Sequence, residues 1–299
     1  MPDLMHSGEF YSALCAVLWA IAVVLFRKSG EHVPPVALNL FKGVFGLLMF
    51  LPTMAVLGLP FVPDGTVASD WAILLISGGI GIGVADTLFF ESLNRLGAGR
   101  SAIVDCLYSP FVILCSFFAL SEPLPVTLFA AVALMGAAIF AGTWQPGGRA
   151  SGPEARRVLA GVGIGALSML LMAIGVVLTK PVLDRFDTCW VTSVRLLGGV
   201  IVLTVLGLAP SRRAATFRAF TPGPVWRITV PASFVGTYLA ILVWMLGMKY
   251  TYTTTASVLN QLSNVLILPL AAIFLKEPLR PRHYAALALG IAGGLVAAF

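Results

Sequence analysis

Apolar residues in this chain do not alternate with polar ones; they come in nearly unbroken runs, near positions 10–28, 35–58, 71–93, 99–120, 124–143, 158–180, 188–208, 227–249, 253–275 and 282–299. Each run is about 20 residues long, the length at which an α-helix crosses the hydrocarbon core of a bilayer. Strands are excluded as the main element, because a lipid-exposed strand needs a closed barrel and a two-residue alternation. Turn chemistry separates the runs, as in Val33-Pro34-Pro35, Pro60-Phe61-Val62-Pro63-Asp64-Gly65 and Pro222-Gly223-Pro224. The pattern predicts an all-α membrane protein with ten transmembrane helices. The longest polar stretch, Trp144–Arg157, reads as a linker between residues 1–150 and 151–299.

Composition agrees. Of 299 residues, 59% are apolar and 11% charged, with a mean hydropathy of +0.96. Soluble domains carry about 25% charged residues, so this chain lacks the charge to cover a water-facing surface. The net charge of +6 sits in short loops without interleaved aromatics. That favours lipid headgroups over nucleic acid as the partner. Cys15, Cys106, Cys115 and Cys189 lie in or beside apolar runs with no CxxC spacing, and His6, His32 and His283 are far apart, so no metal or other cofactor is expected. The first run has no basic segment before it and no A-x-A-like site after it, and reads as a retained helix.

The two halves repeat. Leu18-Trp19-Ala20-Ile21-Ala22-Val23-Val24-Leu25 aligns with Leu171-Met172-Ala173-Ile174-Gly175-Val176-Val177-Leu178, with six identities in eight positions. The same offset of 153 carries Arg27 onto Lys180 and Lys42 onto Arg195. Further on the offset is 155: Gly81 meets Gly236, Asp105 meets Asn260, and Glu122-Pro123-Leu124 meets Glu277-Pro278-Leu279. Five spans per half is an odd number, so the second half enters the membrane from the opposite side. Two inverted five-helix repeats around a central cavity is a recurring transporter architecture, with the substrate near the midplane.

Loops on one face carry fourteen of the nineteen Lys and Arg residues, including Arg27, Arg95, Arg100, Arg213 and Arg280. By the positive-inside rule that face is cytoplasmic and both termini lie on the non-cytoplasmic side. Trp71, Trp144, Trp190 and Trp226 are assigned to the interfacial aromatic belt.

This pattern resembles the drug/metabolite transporter superfamily and its EamA-like ten-span exporters. The residues that carry the resemblance are the basic ones ending the first span of each repeat (Arg27/Lys28, Lys180), those early in the second (Lys42, Arg195), and the two Glu-Pro-Leu triplets. The stretch Asp105-Cys106-Leu107-Tyr108-Ser109-Pro110 is similar to an Asn-aromatic-Leu-Trp-Pro-like stretch of aromatic and broad-range amino-acid exporters, with Asp for Asn, Tyr for Trp and Pro one place later. The resemblance implies a basket of helices whose cavity is lined by spans 1, 3, 4, 6, 8 and 9, in a bacterial inner membrane. The membrane carboxylate that four-span multidrug relatives carry in span 1 is Ala20 here.

A charge within a span costs about 2.5–3.5 kcal/mol on insertion scales and asks for a reason. Asp86 and Asp105 are the candidate acceptors for a substrate ammonium; Asn260, Gln261 and Asn264 are candidate donors to its carboxylate. Trp19, Tyr108, Met172 and Tyr238 provide a mid-span aromatic and thioether wall suited to varied side chains. Plain readings stand beside these: Asn260 and Asn264 as interhelical glue, the aromatics as packing, Glu91 and Arg95 as an i,i+4 pair. Gly78, Gly79, Gly81, Gly83, Pro110 and Pro269 are either hinges or close-packing positions. Together with these residues, the resemblance implies export of small to aromatic neutral amino acids, by a protein expected to function as a monomer. Efflux of drugs or organic cations by the same fold is the alternative. A membrane-embedded aspartyl enzyme is remote, since Gly83-Val84-Ala85 precedes Asp86 where such enzymes have Gly-x-Gly, and neither HExxH nor GxSxG occurs.

Overall fold

The computed structural model describes residues 7–121, 127–143, 153–278 and 280–298, and among them there is no strand. Among the described residues, eight helices are long and apolar enough to cross a membrane: α1 (Gly8–Ser29), α2 (Pro35–Val56), α3 (Ala68–Leu96), α4 (Ala98–Leu120), α6 (Pro153–Leu183), α7 (Thr188–Gly207), α9 (Trp226–Tyr250) and α10 (Thr253–Phe274). The runs near 124–143 and 282–299 become α5 (Leu128–Thr143) and α11 (Pro281–Ala298), which pack mainly against each other. Glu122-Pro123-Leu124, Leu279 and Trp144 lie outside the described residues.

Local chemistry sets the helix ends. Ser7 caps α1 by accepting from the Phe10 amide, Asp187 caps α7 by accepting from Cys189, and Pro35 fits the first position of α2, where its missing N–H has no partner to lose. Two corrections follow. Pro153–Arg157, read above as linker, already form the first turns of α6, because Pro153 occupies the helix start with its φ pre-set. The loop after α7 holds a short helix, α8 (Arg213–Ala219), whose two turns are too brief to register as an apolar run.

The halves interlock. α1 packs against α9 and α10 of the second half, and α6 packs reciprocally against α3 and α4 of the first, while α2 lies along α7. Paired glycines make these contacts: a Cβ on Gly81 would meet the Gly175 Cα, and one on Gly236 would meet the Ala22 Cβ at 2.9 Å. These are matched positions of the repeat. Backbone irregularities match as well. A π-helical stretch interrupts α3 at Gly79–Ala85 and α9 at Phe234–Ala240, 155 residues apart, and α4 and α10 break after Asp105 and Asn260.

Trp190 is a further correction. It is buried rather than lipid-facing, donating from Nε1 to the Phe61 carbonyl at 2.9 Å and meeting Trp71 edge-on. The outward faces carry Val17, Ile21, Phe118, Val205 and Ile273 exposed, an apolar surface that lipid covers.

The tightest seam joins α3 to α7. A Cβ on Gly78 would lie 1.8 Å from the Arg195 carbonyl oxygen, and one on Gly198 2.2 Å from that of Leu75, so the backbones touch. The glycines at this seam serve close packing. We expect Gly78→Ala to lower the thermal unfolding midpoint of detergent-purified protein by the equivalent of about 1–3 kcal/mol, the cost of overpacking. Gly163→Ala in α6, where a Cβ meets open space, is expected to leave the midpoint unchanged or raise it.

Candidate functional site

Two kinds of backbone interruption, each present in both halves, meet at mid-molecule. The π segment of α3 leads into Asp86, that of α9 leads into Ile241, and the broken helices α4 and α10 present Asp105 and Asn260 at their breaks. π segments and breaks re-aim side chains and free backbone groups, and both concentrate at functional positions. The break in α4 has a local cause: Pro110 has no N–H to bond the Cys106 carbonyl four residues earlier. The Gln261 amide from the other half takes that carbonyl instead, Nε2 donating at 3.1 Å. Asn264 donates to Gln261 Oε1 at 2.7 Å and reaches the Cys106 sulfur at 3.7 Å. One break is thus stitched to the other.

Around these breaks lies a cavity of about 100 Å³. On the scale of roughly 10–15 Å³ per water, that admits several waters or one small solute. Eight of the nine expected residues line it: Trp19, Asp86, Asp105, Tyr108, Met172, Asn260, Gln261 and Asn264. Tyr238 does not join them. Its hydroxyl hydrogen-bonds Thr53 at 2.8 Å and its ring packs edge-on against Phe50, so it ties α9 to α2 away from the cavity. The six helices that the resemblance implied all contribute, and α2 and α7 contribute as well.

Those last two bring charges that the reading of polar residues left out of the site. Lys42 from α2 is 1% exposed and its Nζ is 2.5 Å from Asp86 Oδ2, with the Phe26 and Phe90 rings beside it. Asp86 is therefore a buried ion-pair partner as well as a cavity residue. Arg195 from α7 is 3% exposed and also lines the cavity. It has no carboxylate within ion-pairing distance among the described residues, as none of the six ion pairs includes it. Its NH1 reaches only the Met245 sulfur at 3.3 Å, its Nε has no partner, and its guanidinium is 6.0 Å from the Trp244 ring centre. The signal was present in the sequence: a basic residue inside an apolar run, at matched places in both halves.

Among the described residues Asp105 likewise has no ion-pair partner, and the Tyr108 hydroxyl and Asn260 Oδ1 are buried and unpartnered. Native proteins leave few buried polar groups unsatisfied. Three such groups on one cavity wall, on Arg195, Tyr108 and Asn260, together with the Asp105 carboxyl, offer a polar solute a guanidinium, a hydroxyl, an amide and a carboxyl. Trp19, Phe89, Trp244 and Met172 supply the apolar remainder. By contrast Glu91 and Arg95 form the local i,i+4 pair at 2.6 Å, outside this cavity.

Removing one member of a buried ion pair strands the other charge, at about 3–5 kcal/mol, whereas replacing both is close to neutral. Lys42→Met and Asp86→Leu are each expected to depress the thermal unfolding midpoint strongly, and the double variant to recover most of the loss. Equal and additive losses would show that the pair is not coupled.

The sequence matches the EamA-like transporter family twice, over residues 6–143 and 159–299. One solved structure, described as that of a protein without further detail, superposes with a TM-score of 0.70 over 97% of this chain and 96% of its own. Its 18% identity shows a shared fold and no more. No curated protein matches the chain. Two matches that between them take in both halves establish that this chain belongs to the EamA-like transporter family, within the drug/metabolite transporter superfamily.

Proposed function

We propose that this protein is a secondary transporter that exports neutral amino acids, small to aromatic, from the cytoplasm by alternating access through the central cavity. The observation that carries the reading is the unpaired Arg195 guanidinium in a cavity that also holds Asp105, a carboxyl with no ion-pair partner among the described residues. A zwitterion neutralises both at once. Because Lys42 engages Asp86, Asp105 is the acceptor for the substrate ammonium. Because Gln261 and Asn264 are bound to Cys106 and to each other, Arg195 rather than these amides is the main donor to the carboxylate. A guanidinium forks onto a carboxylate through two parallel N–H groups, which fixes orientation as well as charge. Trp19, Tyr108 and Met172 then face the variable side chain.

The reading takes the chain as ten spans in two inverted five-helix repeats, residues 1–150 and 151–299, in a bacterial inner membrane. It takes both termini as non-cytoplasmic and the single chain as the working unit. The reciprocal packing of α1 and α6 and the matched irregularities 155 residues apart support it. Efflux of organic cations by the same cavity is disfavoured by the uncompensated positive charge of Arg195.

Flux of labelled amino acids in proteoliposomes tests the proposal. Several neutral amino acids are expected to move and to compete with one another. Arg195→Gln is expected to weaken substrate by about ten- to a hundredfold, the worth of a charge-assisted hydrogen bond, with Arg195→Lys intermediate. Competition by hydrophobic cations alone, with no effect of amino acids, would overturn it.

A further inference from the structure

A second cluster of unsatisfied positive charge lies away from the cavity, at the start of α11, which packs against α4. His283 is 4% exposed, and Arg282, Arg100 and Arg280 all bear on it electrostatically. The Arg280 amide donates to His283 Nδ1 at 3.2 Å. An Nδ1 that accepts leaves the ring hydrogen on Nε2, and that Nε2 is buried with no partner. Arg282 Nε and NH1 are buried and unpartnered too. The result is several N–H donors with nothing to receive them, beside three guanidinium groups.

No described acid answers these charges, since none of the six ion pairs includes Arg100, Arg280 or Arg282. Glu277, three residues before Arg280, is already engaged. It accepts from the Ala98 and Gly99 amides at 2.8 and 3.0 Å and lies 3.8 Å from Arg27. Buried donors without acceptors mark a missing partner, and here that partner is anionic. The cluster sits at the ends of two apolar helices, the depth of lipid headgroups, and basic pockets between membrane helices bind phosphate-bearing headgroups.

We propose that Arg100, Arg280, Arg282 and His283 form a binding site for a phosphate-bearing anion, supplied by an anionic phospholipid headgroup or by free phosphate. Guanidinium groups suit phosphate oxygens through paired N–H donors, and the neutral imidazole adds a directed donor without adding charge. An occupant bridges α11 to α4. This matters because α11 packs mainly on α5, whereas α4 carries Asp105 and Tyr108 into the cavity. The anion therefore staples the outlying helix pair to a helix of the cavity wall.

Native mass spectrometry of the full-length protein in detergent, offered phosphatidylglycerol, phosphatidylcholine and inorganic phosphate, tests the site. We expect one phosphatidylglycerol to be retained in preference to phosphatidylcholine, with the preference falling about fivefold for each arginine removed, as in Arg282→Gln. Arg280→Gln, at an exposed side chain that folding tolerates, is expected to weaken retention while leaving thermal unfolding in phosphatidylcholine micelles unchanged. Displacement by inorganic phosphate identifies a soluble anion as occupant; retention against it identifies the lipid. Equal retention of the two lipids with no effect of phosphate, or an undiminished preference in both variants, would overturn the site.

Discussion

The backbone-to-backbone contact of α3 with α7 is the constraint from which the cavity follows. Gly78 lies against the Arg195 carbonyl and Gly198 against that of Leu75, so no side chain separates the two helices. At this spacing Arg195 has α3 on one side, and its guanidinium extends into the hollow beside Gly81 rather than between the helices. The π segment of α3 begins at Gly79, one residue past the contact, and ends where Asp86 meets Lys42. Glycine is the only residue type that permits such an approach, and the same run of glycines lowers the helix propensity that would otherwise resist the extra residue of a π turn.

Much of this was written in the sequence, and for physical reasons. Apolar runs of bilayer length have one solution, which is why the helices appeared near their observed places, and the offsets of 153 and 155 reappear as matched glycine contacts and matched irregularities. Five of the eight residues that converge on the cavity, Asp86, Asp105, Asn260, Gln261 and Asn264, were visible because a polar group inside an apolar run is expensive enough to need a reason. What could not be read was pairing across the fold. Nothing local to Asp86 announces Lys42, which is 44 positions away on another helix. Tyr238 has the same composition signal as Tyr108, yet one turns to Thr53 and the other to the cavity, a difference decided by helix rotation. Trp190 looked interfacial by position, and tertiary packing buried it beneath the loop that carries Phe61.

The repeat is faithful in backbone and unfaithful in charge, and the departures carry the chemistry. Lys42 and Arg195 occupy matched positions, but Asp86 at the end of one π segment corresponds to Ile241 at the end of the other. One basic residue is thereby neutralised within the protein while the other faces the cavity with no carboxylate partner among the described residues. Asp105 and Asn260 differ in the same sense, a charge on one break and a neutral amide on the other. A strictly symmetric pair of halves would present either two closed ion pairs or two bare cations. Divergence of a few polar positions gives a polar hollow with direction.

Stitching the two broken helices to each other adds a mechanical element. Pro110 frees the Cys106 carbonyl, Gln261 takes it, and Asn264 holds Gln261. The bond crosses from one half to the other, so movement of the halves past one another must stretch or exchange it. Its acceptor is a carbonyl released by a proline and its donor is one side-chain amide held by Asn264, so the link rests on a single hydrogen bond rather than on packed backbone. In the proposed transport cycle, a solute that drew the Gln261 amide away would loosen the link between the breaks, and occupancy would then be coupled to the freedom of the halves through one backbone carbonyl.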